Sequence, residues 1–111
     1  MTIQIFGTKK CSDTKKAERF FKERGIKPHF RDLNEKGIAP GELKNISAKI
    51  DLEDLIDREG KQFKKRGMQY MVFDPEEELL SDPLLLKTPI VRNGQNATIG
   101  YEPDVWKSWL E

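Results

Sequence analysis

The fold of this chain is decided by residues 9–17, KKCSDTKKA, which contain its only cysteine, Cys11. A strand-like run (IQIF, residues 3–6) precedes this segment, and a helix-like run (AERFF, residues 17–21) follows it. Cys11 is therefore predicted to lie where a strand ends and a helix begins. The first N–H groups of a helix have no partner within it, and the helix dipole leaves partial positive charge there. A thiolate is stabilised at such a position, which lowers the pKa of the thiol.

Residue type alone leaves two interpretations of Cys11 open. A lone cysteine is often a small buried hydrophobe with no reactivity. A structural cysteine is more usual in an apolar run, however, whereas this one lies among lysines whose charge is opposed by Asp13. The polar surroundings and the position before a helix favour a reactive thiol.

The composition excludes several classes of protein. A chain of 111 residues is enough for one compact domain, residues 1–111, with one hydrophobic core. Its 20 basic and 19 acidic side chains nearly cancel, so neither direct DNA binding nor membrane attachment is expected. One cysteine and one histidine cannot form an internal disulfide or a thiolate zinc site. With no signal-peptide pattern and no apolar run of about 20 residues, we expect a cytoplasmic protein without a metal or bound cofactor.

Strand and helix patterns alternate along the rest of the chain. Gly25 is a typical helix end, and Asp74-Pro75 is a typical helix start. Asn93-Gly94 indicates a tight hairpin, because both residues tolerate a positive φ. The predicted order is a strand at 2–6, a helix at 12–24, a strand at 26–33, a helical insertion at about 40–83, strands at 88–92 and 95–99, and a final helix from Glu102.

This order predicts an α/β fold with a four-stranded mixed sheet. Two strands joined by one helix lie parallel, connected by a right-handed crossover. The closing hairpin adds two antiparallel strands and is followed by a helix. The sequence βαβ, helical insertion, ββα is the thioredoxin-like arrangement.

Three motifs carry a resemblance to a known family. They are residues 5–17 (IFGTKKCSDTKKA), residues 57–63 (DREGKQF), and residues 86–91 (LKTPIV) followed by Gly100-Tyr101. Together, over essentially the whole chain, they resemble the arsenate reductase-like family. That family includes glutaredoxin-coupled arsenate reductases, Spx-type transcriptional regulators and YffB-like proteins, and the segment around Cys11 is most similar to the YffB-like members.

The resemblance implies roles for individual residues. Cys11 matches the family's catalytic cysteine, which attacks arsenate or a disulfide as a thiolate. Arg58 matches an arginine that helps to bind the oxyanion and to lower the pKa of the cysteine; by residue type alone it is a solvated charge. Pro89 matches a proline, normally cis, that precedes the third strand. The residues expected to contact substrate are Lys10, Ser12, Thr14, Lys87, Thr88 and Pro89.

Departures from the family pattern bear on the substrate. The arginine that precedes the proline in arsenate reductases is Thr88 here, with Lys87 as a partial substitute, and residues 96–99 contain no arginine. These changes weaken the case for arsenate. Thr14 occupies the position at which the second cysteine of a C-x-x-C redox switch would fall, so that switch is absent.

A single thiol can work only through a mixed disulfide that a second thiol resolves. The leading hypothesis is therefore a glutathione-dependent monothiol oxidoreductase with Cys11 as nucleophile, resolved by glutathione or by a glutaredoxin-type thiol. The alternative is an Spx-like regulator that binds RNA polymerase without catalysis. A third interpretation, a fold retained without activity, would place Cys11 in the core.

Overall fold

A four-stranded mixed sheet forms the centre of the computed structural model, which describes residues 2–110. Strand β1 lies in the middle and pairs parallel with β2 and antiparallel with β3, which pairs antiparallel with β4. The spatial order is therefore β2–β1–β3–β4, and the prediction of an α/β fold with a thioredoxin-like mixed sheet is confirmed. The strands are β1 (Ile3–Gly7), β2 (His29–Asp32), β3 (Ile90–Asn93) and β4 (Asn96–Ile99).

One face of the sheet is covered by two helices, α1 (Ser12–Glu23) and α6 (Pro103–Trp109). Apolar residues at spacings of three and four turn one stripe of α1 inward, where its aromatic rings pack on Trp106 of α6. Trp106 Nε1 donates to Thr98 Oγ1 at 2.8 Å, which ties α6 to β4. We call this side the α1 face. Its buried apolar residues are Ile3, Ile5, Ala17, Phe20, Phe21, Val91 and Trp106.

The helical insertion covers the opposite face, because successive strand residues point to opposite sides of a sheet. We call this side the insertion face. No helix within residues 2–110 is both long and apolar enough to span a membrane. The helices of the insertion are α2 (Pro40–Ser47), α3 (Leu52–Leu55), α4 (Lys61–Lys65) and α5 (Pro75–Ser81), with 3₁₀ turns at Met68–Tyr70 and Pro83–Leu85. The buried residues of this face are Phe6, Leu33, Ile38, Leu43, Ile46, Leu55, Ile56, Phe63, Met68, Leu79, Leu85, Leu86 and Ile90.

Ion pairs hold the insertion to the sheet and its helices to one another. Arg31 of β2 donates to both carboxylate oxygens of Glu42 on α2, at 3.0 and 3.1 Å. Arg66, which follows α4, donates to Glu78 of α5 at 2.7 Å and to Asp82 just beyond it at 3.0 Å. Bonds between a guanidinium and carboxylates are stronger and more directional than neutral hydrogen bonds. They therefore fix the orientation of the insertion.

The end of α1 decides where β2 begins. Gly25 adopts a positive φ of 75° and closes the helix, as its position in the sequence predicts. The Ile26 N–H donates to the Phe21 carbonyl at 2.9 Å as part of this closure, and Pro28 has no N–H to donate to a neighbouring strand. β2 therefore begins at His29, three residues later than predicted.

Candidate active site

Cys11 lies between the last residue of β1 and the first residue of α1, as the sequence predicts. Its backbone is extended, with φ −80° and ψ 117°, and it occupies the N-cap position of α1. The Cys11 N–H donates to the Thr8 carbonyl at 3.2 Å, and the Cys11 carbonyl accepts from the Lys15 N–H at 3.2 Å. Cys11 is a free cysteine and is only partly buried. Cys11 is therefore not a residue of the apolar core, and part of the residue is exposed to solvent.

Thr88 provides a direct partner for the thiol, although 77 residues separate the two in sequence. Thr88 Oγ1 donates to Cys11 Sγ at 3.2 Å, and the protonated thiol donates to the Thr88 carbonyl at 3.8 Å. The Thr88–Pro89 peptide bond is cis. Antiparallel pairing of β1 with β3 brings the segment that precedes β3 beside the start of α1. Thr88 thus lies beside the cysteine. Pro89, between Thr88 and β3, is buried. Contact of either residue with substrate stays a prediction.

The surroundings of Cys11 lower the pKa of its thiol below the ordinary value. Partial burial is the largest influence and acts in the opposite direction, because it disfavours the charged thiolate. The hydroxyls of Thr14 and Thr88 and the backbone N–H groups of Thr14 and Asp13 favour the thiolate, and together they outweigh the effect of burial. The two N–H groups belong to the first turn of α1, where backbone donors have no partner within the helix. The thiolate is therefore more populated near neutral pH than that of an ordinary cysteine.

Thr14 is the third residue of α1 and is completely buried. Its side chain is therefore closed off from a substrate that approaches from solvent, although the sequence led us to expect a contact. Thr14 lies three residues after Cys11 on the first turn of α1, and its hydroxyl helps to lower the pKa of the Cys11 thiol.

A surface cavity of about 330 Å³ opens beside Thr88. The loop after β1 lines one side of it with Lys10, and the insertion lines the other side with Asp57 and Lys61. Leu84, which is 40% exposed, adds an apolar surface. Lys10 was among the predicted substrate contacts. Asp57 and Lys61 were missed, although both lie in the quoted motif at residues 57–63 and could have been found there as its other charged side chains.

Within residues 2–110, Arg58 is hydrogen-bonded to Glu53 and not to Cys11. Its guanidinium donates to Glu53 at 2.6 Å, and about half of its side chain is exposed. The guanidinium carbon also lies 5.5 and 5.8 Å from the ring centroids of Phe63 and Phe73. Arg58 does not appear among the groups that lower the Cys11 pKa. Its predicted role in oxyanion binding stays a prediction.

Ser12 and Lys87 lie close in sequence to the residues that contact the sulfur. Ser12 is exposed on the first turn of α1, and Lys87 is half-buried immediately before Thr88. The Lys87 N–H donates to the Leu55 carbonyl at 2.7 Å, so this segment is held by the insertion. Within residues 2–110, no three His, Cys, Asp or Glu side chains are grouped as metal ligands would be.

The fold and the thiol site together define a thioredoxin-like protein with one accessible cysteine at the start of α1. The chain belongs to the ArsC family, whose model matches residues 6–109. The match thus covers the insertion, every residue of the candidate site, and all of the sheet except the first three residues of β1.

Individual relatives show the same architecture. The chain is 29% identical to "Global transcriptional regulator Spx 2" of Oceanobacillus iheyensis, over 99% of this chain and 84% of that protein. The structure of a YFFB protein superposes with a TM-score of 0.86 and 26% identity, over 99% of this chain and 100% of that one. An arsenate reductase from Vibrio cholerae gives a TM-score of 0.81 at 18% identity, over 97% of each chain, and this likeness concerns the fold alone.

Proposed function

We propose that the protein is a thiol oxidoreductase that uses Cys11 as nucleophile and glutathione as its thiol co-substrate. The observation that carries the proposal is a partly exposed cysteine whose sulfur is surrounded by hydrogen-bond donors that lower its pKa. A purely structural cysteine has no need of such donors. Membership of the ArsC family agrees with oxidoreductase chemistry. The reaction requires a compartment in which thiols are kept reduced, such as the cytoplasm.

The proposed reaction is thiol–disulfide exchange at a single sulfur. The Cys11 thiolate attacks one sulfur of a disulfide R–S–S–R′, which forms Cys11–S–S–R and releases R′–S⁻. A glutathione thiolate, or the thiolate of a glutaredoxin-type protein, then attacks the sulfur of R and releases Cys11 as a thiolate. In the net reaction the substrate disulfide releases R′–S⁻, and R becomes joined to the resolving thiol. No internal disulfide is formed, as a chain with one cysteine requires.

The charges around the cavity beside Thr88 favour a peptide-like anionic ligand. Glutathione carries a carboxylate at each end and a single ammonium group, and the cavity offers the ammonium groups of Lys10 and Lys61 and the carboxylate of Asp57. Exposed ion pairs contribute little each, so these residues would adjust KM rather than the chemical step. Thr88 and Pro89 would present backbone groups to the same ligand, with Ser12 and Lys87 as further proposed contacts.

Replacement of the nucleophile tests the proposal directly. After incubation with oxidised glutathione, the wild-type protein should gain the mass of one glutathionyl group, and Cys11→Ser should gain none. Cys11→Ser should also lose glutathione-dependent disulfide reduction, and activity retained by this variant would overturn the assignment. In the same experiment Arg58→Ala should react more slowly if Arg58 leaves Glu53 to bind the anionic substrate.

A regulatory role is the second candidate, and the relative named as a global transcriptional regulator favours it. In that role the protein would bind RNA polymerase without catalysis. Co-purification with RNA polymerase that is unaffected by Cys11→Ser, together with absent disulfide reduction, would favour the regulator over the enzyme.

Arsenate reduction is the third candidate and needs an oxyanion site beside the sulfur. Thr88 supplies a neutral hydroxyl at the position where arsenate reductases carry a guanidinium, which is always charged and binds two oxygens at once. We therefore expect reduction of a glutathione mixed disulfide to exceed arsenate reduction under identical conditions. The reverse order would make arsenate the substrate.

A further inference from the structure

Thr14 and Thr98 are two buried threonines that differ in the hydrogen bonding of their hydroxyl groups. Thr98 Oγ1 accepts a hydrogen bond from Trp106 Nε1 at 2.8 Å. Thr14 is 0% exposed, and its Oγ1 makes no hydrogen bond within the described residues. A buried hydroxyl without a partner destabilises the folded protein, because it has lost water and gained nothing in return. The unpaired hydroxyl of Thr14 therefore needs an explanation, whereas the paired hydroxyl of Thr98 does not.

The Thr14 side chain is fixed against the end of β1. A Cβ atom built on Gly7 would lie 2.6 Å from Thr14 Cγ2 and would clash with Thr14 Oγ1. Gly7 is therefore required for the close approach of the Thr14 side chain to the end of β1.

The helix geometry places Thr14 on the same side of the first turn as Cys11. Cys11 is the N-cap of α1 and Thr14 is the third helical residue, and residues three apart on a helix are neighbours. When Cys11 is protonated, its S–H donates to the Thr88 carbonyl and its sulfur accepts from Thr88 Oγ1. When the proton leaves, the sulfur becomes a stronger acceptor and can take a further donor.

We propose that Thr14 is a positioning residue for the thiol exchange, whose buried hydroxyl donates to the Cys11 sulfur while that sulfur is anionic. This inference rests on the proposed function. The sulfur is anionic before it attacks a disulfide and again when it leaves the mixed disulfide, and the Thr14 proton remains on its own oxygen in both steps. The hydroxyl thus favours the beginning and the end of the cycle over the mixed disulfide between them. Its effect on the Cys11 pKa supports the same contact.

Thr14→Val removes the hydroxyl and keeps the shape of the side chain. Because Cys11 is the only cysteine, the pH dependence of alkylation by iodoacetamide reports its pKa alone. Loss of one hydrogen bond to a charged group should raise this pKa by about one unit. Thr14→Ser should restore the wild-type value. The matched control, Thr98→Val, leaves the Trp106 N–H without an acceptor, so it should lower the melting temperature and leave the pKa unchanged.

The exchange rate distinguishes this role from a purely structural one, because a structural role would not change the rate in this pH-dependent way. Nucleophilicity of a thiolate rises with its pKa, so a one-unit increase makes the thiolate about threefold more reactive while its population below the pKa falls about tenfold. Attack of Thr14→Val on oxidised glutathione should therefore be about threefold slower below both pKa values and about threefold faster above them. Release of Cys11 from its mixed disulfide should be slower at every pH.

An unchanged alkylation pKa in folded Thr14→Val would overturn the inference. If that variant does not fold, Thr14→Ala, which removes atoms without adding any, gives the same two outcomes. The alkylation measurement needs no glutathione. Failure of the wild-type protein to exchange with oxidised glutathione would therefore reject the proposed function. The alkylation pKa could still be interpreted in that case. An unchanged pKa beside exchange that requires Cys11 would reject only the role of Thr14.

Discussion

The two faces of the sheet are built differently. The α1 face packs Phe20 and Phe21 on Trp106, and its main polar contact is the single bond from Trp106 to Thr98. The insertion face is mainly aliphatic, and it is held at its margins by guanidinium–carboxylate pairs such as Arg31–Glu42. The α1 face is thus fixed by packing, and the insertion face is fixed by packing and charge together.

This difference separates two tasks at the candidate site. α1 places Cys11 and the hydroxyl of Thr14, which decide the chemistry of the sulfur. The insertion contributes Asp57 and Lys61 to the cavity, which would decide what binds. Thr88 takes part in both tasks, because it donates to the sulfur and also lines the cavity. Substitutions on the α1 face should therefore change the thiol, and those on the insertion face should change recognition.

The largest effect is expected from Trp106→Ala on the α1 face. The change removes a fully buried ring that packs on Phe20 and Phe21, and such truncations cost about 3–5 kcal/mol. Urea denaturation should show this loss in the free energy of unfolding, with reduced alkylation of Cys11 where the fold is lost. Trp109→Ala, at a partly buried position of the same helix, is the control and should cost less. Equal losses would mean that the packing on α1 does not depend on Trp106.

A smaller loss is expected from Glu42→Gln on the insertion face. Burial raises the pKa of Glu42, but hydrogen bonds from Arg31 and the Ala39 N–H outweigh it and lower the pKa. The carboxylate therefore stabilises the fold fully above its unfolded pKa of about 4.3, and this contribution is lost as the pH falls through the lower folded value. Removal of the charge should cost about 1.5–3 kcal/mol at pH 7 and flatten the acid side of the stability curve.

The control for that prediction is Glu53→Gln, which breaks the exposed pair with Arg58. Exposed ion pairs contribute about 0–1 kcal/mol, so the free energy of unfolding should hardly change. Similar losses in Glu42→Gln and Glu53→Gln would show that charge does not anchor the insertion.

The smallest effect is expected from charge reversal at the cavity. Lys61→Glu should raise KM for oxidised glutathione by about tenfold, with kcat and the Cys11 pKa unchanged, because one ion pair is replaced by repulsion. Lys64→Glu is the matched control on α4. Lys64 pairs with Glu59 at 3.8 Å and does not line the cavity, so its reversal should leave KM unchanged. Equal KM values in the two variants would remove the cavity from substrate binding.

Local sequence signals predicted much of the fold. A strand-like run before Cys11 and a helix after it placed the thiol at the N-cap of α1. Asp74 was identified as a helix start, and its carboxylate accepts from the Glu76 N–H at 3.0 Å. These features depend on neighbouring residues alone, so one sequence is enough to find them. The family resemblance contributed the pairing of Cys11 with Thr88 and Pro89.

Long-range and competitive contacts were harder to predict. Nothing local indicates that Thr14 is sealed by Gly7, because that contact depends on the distance between α1 and β1. Arg58 is predicted to act at the thiol, and the structure shows a pairing that the sequence did not predict, with Glu53, five residues away, at 2.6 Å. A long flexible side chain pairs with whichever carboxylate lies nearest in the fold, and residue type does not reveal that choice. Lys61 was overlooked for another reason, since it lies in the quoted motif at residues 57–63 but its place at the cavity depends on how the insertion packs.

The contact between Gly7 and Thr14 also bears on how such a protein can change. It holds the Thr14 side chain at the start of α1 against Gly7 at the end of β1, so the position of the sulfur depends on this packing as well as on the connecting residues 8–10. The exposed residues Lys9 and Lys10 in that connection can therefore vary in charge without displacing the nucleophile. Descendants of one ancestral chain could acquire new partners by drift in these two side chains while the reactive centre is inherited intact.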